Sequence, residues 1–335
     1  MKAAHVKEPG SDFEIVDLQI PEPKKNEVLI KVEACGICHS DAMVKDGLFP
    51  GIEYPRVPGH EVVGKVEKTG SDVTIWKKGQ RVGVGWHGGH CFTCNPCRKG
   101  DFINCENGKV AGISYDGGYA EYMVAPQEAV AAVPDELSSE DAAPLLCAGI
   151  TTFNSLKNTG AQAGDLVAVQ GIGGLGHLAV QYAAKMGFRT VAISTSDDKE
   201  QLAKKLGAHH FINAKKQNAV EELQKMGGAR VIIATAPNTD IIGEIAGGLG
   251  LEGNLLVLAA TGETFEVSPF TLIMGRKKVS GWPSGTAKDS EDTLNFSAMT
   301  GTKPMIETYS LDNVNEAYGQ MINNKARFRV VLKMN

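Results

Sequence analysis

The sequence predicts an α/β protein of two domains. Residues up to about 148 read as short strands broken by Gly and Pro, residues 149–281 alternate strand and helix, and a glycine-rich turn sits at the first strand-to-helix junction of that second stretch. With 335 residues the chain has the length of two ordinary domains. Hydrophobic residues at 42% and charged residues at 22% suffice for packed cores and carry no signature of disorder. Lys plus Arg number 34 against 39 Asp plus Glu, a net charge of −5. That balance excludes a nucleic-acid binder, which needs a basic face against phosphates.

The elements follow in order. Glu27–Glu33, Glu61–Glu67, Gln80–Gly85 and Tyr119–Val124 alternate apolar and polar positions, the period of half-buried antiparallel strands. Leu166–Gln170 is a short apolar run of a fully buried strand, and Leu175, Leu178, Ala179, Tyr182, Ala183 and Met186 then mark one face of a helix. The alternation continues with a strand at Thr190–Ser194, a helix at Asp198–Leu206, a strand at Arg230–Ala234, a helix at Asp240–Leu249 and a strand at Asn254–Ala259. Strand and helix in turn imply a doubly wound parallel sheet covered on both faces. After Trp282 the pattern loosens to a helix at Asn313–Asn323 and a strand at Arg329–Leu332. The boundaries are therefore set at 1–148 with 282–335 for one domain and 149–281 for the other. The uncharged stretch Leu166–Ala184 has the length of a membrane span. Its glycines, Gln170, His177 and Gln181 make it a soluble strand–turn–helix instead, and no membrane partner is expected. The first residues show no apolar leader segment, so the expected home is the cytoplasm.

Gly171-Ile-Gly173-Gly174-Leu175-Gly176 fits the G-x-G-x-x-G turn, with a strand before it and a helix after it. The first glycine turns the chain, the second lets backbone approach a pyrophosphate, and the third packs helix on strand. The helix N-terminus then faces the anion. This predicts a Rossmann dinucleotide-binding domain. The next strand ends in Ser194-Thr195-Ser196-Asp197-Asp198-Lys199. No carboxylate stands where NAD's ribose hydroxyl would be held, hydroxyls take its place, and Lys199 can pair with a 2′-phosphate. NADP(H) is expected ahead of NAD(H), although Ser196 or Asp197 also suits a helix cap, and Asp197 and Asp198 would oppose a phosphate.

Seven cysteines without an export signal point to reduced thiols. Cys91, Cys94, Cys97 and Cys105 fall within 15 positions, the donor set of a structural four-thiolate zinc site in a lobe at about 88–108. An iron–sulfur run opens the same way but closes after three residues with Cys-Pro, whereas seven residues separate Cys97 from Cys105. Cys38, His60 and Cys147 look like a second site, two thiols and one imidazole of the kind that leaves zinc an open fourth position, although the residues alone do not derive that assembly. Taken singly, Cys147 in its apolar run reads by default as a core thiol and His60 equally as a turn cap, and Cys35 is left as structural.

Cys35-Gly-Ile-Cys38-His39-Ser40-Asp41, Gly59-His60-Glu61, the four-cysteine lobe, Cys147-Ala-Gly-Ile-Thr151 and the glycine turn occur together in one order. By them the chain resembles the zinc-dependent alcohol dehydrogenases of the medium-chain dehydrogenase/reductase superfamily over essentially its full length. The resemblance implies a GroES-like β-rich catalytic domain split around the Rossmann domain, and two zinc ions per chain. Catalytic zinc would sit on Cys38, His60 and Cys147, with Glu61 as a nearby ligand and Asp41 orienting His60. Ser40 would bond the substrate oxygen, His39 and Arg329 would meet the cofactor phosphates, and Thr151 would lie by the nicotinamide. A homodimer or homotetramer is implied as well. One departure stands out: where many members carry a proton-passing histidine, three residues after the relay hydroxyl, this chain has Met43.

The expected reaction is oxidation of primary aliphatic or aromatic alcohols to aldehydes, and the reverse, with Phe49 and Trp86 as candidate walls of the substrate pocket or as core. A polyol or sugar dehydrogenase of the same superfamily and a non-catalytic zinc- and nucleotide-binding protein remain the alternatives.

Overall fold

The computed structural model describes residues 1–334. The chain separates into two compact units: residues 1–150 with the chain from Ser284 onward, and residues 151–283.

The first unit is built on a seven-stranded sheet. Its order runs Ile306–Ser310, Arg329–Lys333, Glu27–Ile37, Val62–Thr69, Arg81–Val84 and Val130–Ala132, and Tyr122–Pro126 also pairs with Glu27–Ile37. All pairings are antiparallel except the first, between Ile306–Ser310 and Arg329–Lys333. The strand Glu27–Ile37 is the spine of this sheet. Its first half pairs with Tyr122–Pro126 and its second half with Arg329–Lys333, while Val62–Thr69 flanks it along the other edge. Val28, Ile30, Val32, Cys35 and Ile37 pack with Val62, Val66, Val82 and Val84, so the alternation read from the sequence is the core face of this sheet. A two-stranded ribbon, Lys2–Val6 with Phe13–Asp17, and a small one, His87–Gly89 with Lys109–Val110, complete the strands of this unit.

The second unit is a six-stranded parallel sheet ordered His210–Asn213, Arg189–Ser194, Leu166–Gln170, Ala229–Ala234, Leu249–Val257 and Lys278–Gly281. Counted along the chain the order is 3-2-1-4-5-6, the doubly wound arrangement in which ligands bind at the carboxyl ends of the strands beside the order reversal. Every residue of Leu166–Gln170 is buried, as a central parallel strand requires. The following helix, Gly176–Lys185, buries Leu178, Ala179, Tyr182 and Ala183, the face that the spacing predicts.

Three expectations need correction. The helix expected at Asp240–Leu249 ends at Ile245, because Gly247 and Gly248 lie against Val220 and Leu223 and the chain enters a strand at Leu249. The helix expected at Asp198–Leu206 begins with a 3-10 turn, Asp197–Lys199, and is α-helical only over Glu200–Lys205. Beyond Trp282 the chain does not loosen: Ala287–Thr300 is the longest helix described. It gives no apolar period because its buried face is Ser290, Thr293, Leu294 and Ser297. Two hydroxyls on that face are satisfied within the helix, Thr293 donating to Asp289 O and Ser297 to Thr293 O at 2.7 Å each. Among the described residues no helix is long and apolar enough to cross a membrane.

This polar-faced helix depends on its first turn, where the Thr286 hydroxyl accepts from Asp289 N–H and the Asp289 carboxylate accepts from Thr286 N–H. Thr286→Ala should destabilise the unit by about 1 kcal/mol and lower its thermal midpoint by roughly 2–4 °C in a calorimetric scan.

Candidate active site

The site is assembled where the spine strand ends. Past Ile37 the chain turns sharply, Cys38 N–H donating to Asp41 Oδ2 at 2.8 Å and Asp41 N–H to Cys38 O at 3.0 Å. The turn presents the Cys38 thiol and leads into a short helix, Asp41–Lys45. His60 and Glu61 precede the neighbouring strand Val62–Thr69, and Gly36 N–H donates to Glu61 O at 3.0 Å. Gly36 is obligatory, since a Cβ there would stand 1.9 Å from Glu61 Oε2. Cys147 follows the wholly buried turn Ala143–Leu146, and Arg329 opens the last strand.

These segments bring the ligating atoms of Cys38, His60, Glu61 and Cys147 within 4.8 Å of one another. The Cys38 and Cys147 sulfurs lie 3.7 Å apart, too far for a disulfide. Two thiolates about 2.3 Å from one tetrahedral ion stand about 3.8 Å apart, so the spacing suits shared zinc. His60 Nδ1 lies 3.2 Å from Asp41 Oδ1 in a fully buried pair. With that nitrogen bonded to the carboxylate, Nε2 is the ring atom left for a metal, and it is buried without a hydrogen-bond partner. Glu61 Oε2 is likewise buried and unpartnered, while its Oε1 is ion-paired to Arg329 Nη2. Two thiols, an imidazole nitrogen and a carboxylate oxygen, all turned toward one another, match the donor chemistry of zinc.

The electrostatics are those of a dry cluster of charges. A hydrogen bond from Cys147 holds the Cys38 thiol well below its usual pKa, against burial and with help from His60, and the same contact pushes Cys147 well above. Burial opposes charge on His60, but Asp41 and then Cys38 overcome it and raise the ring well above its usual value. Burial pushes Glu61 up to about 7 despite Arg329. Trp86 covers His60 edge-on at 5.1 Å between ring centres, and Phe49 meets Trp86 at 6.5 Å. Ser40 Oγ lies 3.8 Å from Cys38 Sγ, and the intermediate exposure of Ser40 leaves its hydroxyl reachable.

The second metal candidate is the lobe holding Cys91, Cys94, Cys97 and Cys105, whose sulfurs also converge within 4.8 Å. Cys105 Sγ lies 3.6 Å from Cys91 Sγ and 3.8 Å from Cys94 Sγ. Backbone N–H groups of Cys91 and Asn107 donate to Cys105 Sγ at 3.3 Å each, and that of Cys94 to Cys91 Sγ at 3.4 Å, the environment of thiolates rather than thiols. Thr93, from its hydroxyl and its backbone, with Cys94 and Asn107 lowers the Cys91 thiol to about 5, while burial pushes Cys97 up to about 12.

In the second unit the glycine turn has the predicted form. Gly171 adopts φ +91°, and a Cβ on Gly176 would stand 1.9 Å from Gly171 O, so helix and strand approach closely. Space around Gly173 is open, with nothing within 4 Å of a Cβ there, and Gly174 and Leu175 carry the chain from it into the helix. Ser194, Thr195 and Ser196 lie at the carboxyl end of the next strand, and Lys199 Nζ reaches back to donate to Ile172 O at 2.9 Å. Asp197 is bonded by Asn213 and Lys216, and Asp198 by Ser196. Thr151 is half-buried in the helix Ala148–Lys157, and His39 is exposed beside Cys38. Arg329, expected at the cofactor phosphates, is buried with its guanidinium on Glu61 and on Ile37 O at 3.3 Å. Sequence reasoning reads Tyr119 as the first residue of a strand and misses its hydroxyl's bond to Asp41, 78 residues away; the strand begins only at Tyr122, and Tyr119 lies in the bend before it.

A split β-rich unit with two thiols and an imidazole around one point, a four-thiol lobe and a doubly wound unit with a dinucleotide turn together define a zinc-type dehydrogenase. Residues 24–135 match the alcohol dehydrogenase GroES-like domain family and residues 174–299 the zinc-binding dehydrogenase family. The chain is 46% identical to alcohol dehydrogenase patD of Penicillium expansum, across 99% of this chain and 97% of the relative. It is 38% identical to an alcohol dehydrogenase of Geobacillus stearothermophilus over the whole of both. Among solved structures it superposes on the CAD from Helicobacter pylori complexed with NADP(H), at TM-score 0.88 and 29% identity, covering 99% of this chain and 97% of that one. The chain belongs to the zinc-dependent alcohol dehydrogenases of the medium-chain dehydrogenase/reductase superfamily.

Removing one sulfur of the candidate site separates metal from fold. Cys38→Ser should drop the zinc content from two ions per chain to one and abolish turnover, with the circular dichroism spectrum unchanged.

Proposed function

We propose that the protein interconverts primary alcohols, aliphatic or aromatic, and aldehydes with a nicotinamide dinucleotide, NADP(H) in preference to NAD(H). The observation that carries this reading is the convergence of Cys38, His60 and Cys147, with an unpartnered His60 Nε2, next to the reachable hydroxyl of Ser40. Zinc held by these three residues supplies a Lewis acid that acidifies an alcohol or, in reverse, polarises a carbonyl. The nicotinamide ring supplies the hydride acceptor.

The remaining work falls to the chain. Asp41 fixes the His60 ring and its tautomer, and Glu61, kept from Arg329 on one oxygen, stands by as a further ligand. Ser40 Oγ takes the hydrogen bond of the substrate hydroxyl and starts the proton on its way. The thioether of Met43 carries no proton, so the path onward from Ser40 does not run through that side chain. Trp86 and Phe49 give the pocket an apolar aromatic wall, which favours alkyl and aryl groups over polyols. Zinc on Cys91, Cys94, Cys97 and Cys105 stabilises a lobe with little core of its own.

For the cofactor, the turn at residues 171–176 takes the pyrophosphate and Lys199 with Ser194, Thr195 and Ser196 takes the 2′-phosphate. Two observations favour the phosphate: Lys199 is already anchored over the glycine turn, and the carboxylates of Asp197 and Asp198 are engaged by neighbouring side chains. His39, Thr151 and Arg329 complete the cofactor contacts in this reading, Arg329 also pairing with Glu61.

The partner is a second copy of the chain, in a dimer or a pair of dimers. Supporting it, Lys278–Gly281 is an edge strand with open hydrogen-bonding groups, and Leu251, Phe270, Ile273 and Met274 are exposed in the same unit. The seven free cysteines suit a reducing compartment, the cytoplasm.

Initial rates followed at 340 nm test the reading. Primary alcohols with NADP should outpace secondary alcohols, sugars and polyols, and rates favouring polyols would move the enzyme to that branch. Lys199→Ala should raise KM for NADP about tenfold with little change for NAD, from loss of one charge-assisted contact. Light scattering on a sizing column should give a multiple of the chain mass.

A further inference from the structure

The carboxylate that orients His60 is itself held from a second side. Asp41 Oδ1 faces His60 Nδ1, while Oδ2 accepts two hydrogen bonds, from Cys38 N–H and from the Tyr119 hydroxyl, each at 2.8 Å. Asp41 and Tyr119 are both completely buried, so bulk solvent cannot stand in for either donor. Burial pushes the phenol well above its usual pKa, which keeps its proton on and its role as donor fixed.

The ring has little freedom to do anything else. A Cβ at Gly59, which adopts φ +104°, would stand 2.5 Å from a Tyr119 ring carbon. Tyr119 N–H donates to Pro58 O and Gly118 N–H to Gly59 O, both at 3.0 Å, tying the tyrosine to the loop that carries His60. On its outer side the ring meets Phe13 edge-on at 5.9 Å, and Tyr119 O accepts from Ala4 N–H at 2.8 Å.

We propose that Tyr119 is a positioning residue of the metal centre, its hydroxyl locking the Asp41 carboxylate so that Asp41 in turn aims His60 Nε2 at zinc. The inference rests on the assignment of zinc to Cys38, His60 and Cys147. Removing one of the two donors to Oδ2 frees the carboxylate to rotate toward Cys38 N–H, loosening its grip on the His60 ring. Outer partners of this kind typically change metal affinity about 10–100-fold.

The test is zinc retention by the whole protein against a graded chelator, with the four-cysteine zinc as internal reference. Tyr119→Phe should release the first zinc at about tenfold lower chelator concentration and leave the second unmoved. The visible bands of cobalt exchanged into the Cys38–His60–Cys147 site should shift in the same variant. Phe13→Leu, which loosens packing on the ring but keeps its hydroxyl, should lower the thermal midpoint without altering zinc retention. In an Asp41→Asn background Tyr119→Phe should have no further effect. Unchanged retention and cobalt bands in Tyr119→Phe, equal zinc loss in Phe13→Leu, or additive losses with Asp41→Asn would each overturn the proposal. A wild-type protein holding only the four-cysteine zinc would instead remove the site assignment on which it rests.

Discussion

Asp41, His60, Glu61 and Arg329 are fully or almost fully buried, together with Cys38. Burying an ion in a protein costs several kcal/mol unless it is paired and hydrogen-bonded. Here most of that cost is offset in pairs: Arg329 against Glu61, Asp41 against His60, Cys38 against Cys147. What remains is an excess of groups that ionise to anions over a single guanidinium, plus two buried ligand atoms without partners, His60 Nε2 and Glu61 Oε2. A divalent cation relieves both deficits at once. The fold of the first unit is arranged to hold this cluster, since its central strand delivers Gly36 and Cys38 to the place where Val62–Thr69 and Arg329–Lys333 both begin.

The same residues therefore serve stability and chemistry. Gly36 has no side chain because Glu61 occupies that space, and Gly59 none because Tyr119 does. Substitutions that look conservative in sequence would break contacts here that nothing nearby can replace. The second unit divides its roles differently. Its central strands are almost uniformly apolar and replaceable in kind, and its specificity is concentrated in the glycine turn and the following strand tip.

Much of this is legible in the sequence because the signals are local. Leu166–Gln170 and the helix after it declare themselves by periodicity, and the four-cysteine lobe by spacing alone. The first metal set is legible only through the joint pattern of several motifs. Cys38, His60 and Cys147 come from a turn, a strand entry and a helix entry, and no spacing rule joins them. Nothing local reveals that Arg329, which the family resemblance sends to the cofactor phosphates, also pairs with Glu61 268 positions away. The helix Ala287–Thr300 escapes because hydroxyls bonded to their own backbone let Ser and Thr fill a buried face, which defeats a search for apolar stripes.

The most direct test of a dication at the heart of this cluster is anomalous diffraction at the zinc absorption edge from crystals of the untreated protein. Two peaks per chain are expected, one amid the four thiols of the lobe and one bonded to Cys38, His60 and Cys147. A single peak at the lobe, with the Cys38 and Cys147 sulfurs oxidised or turned apart, would contradict a metal-centred cluster.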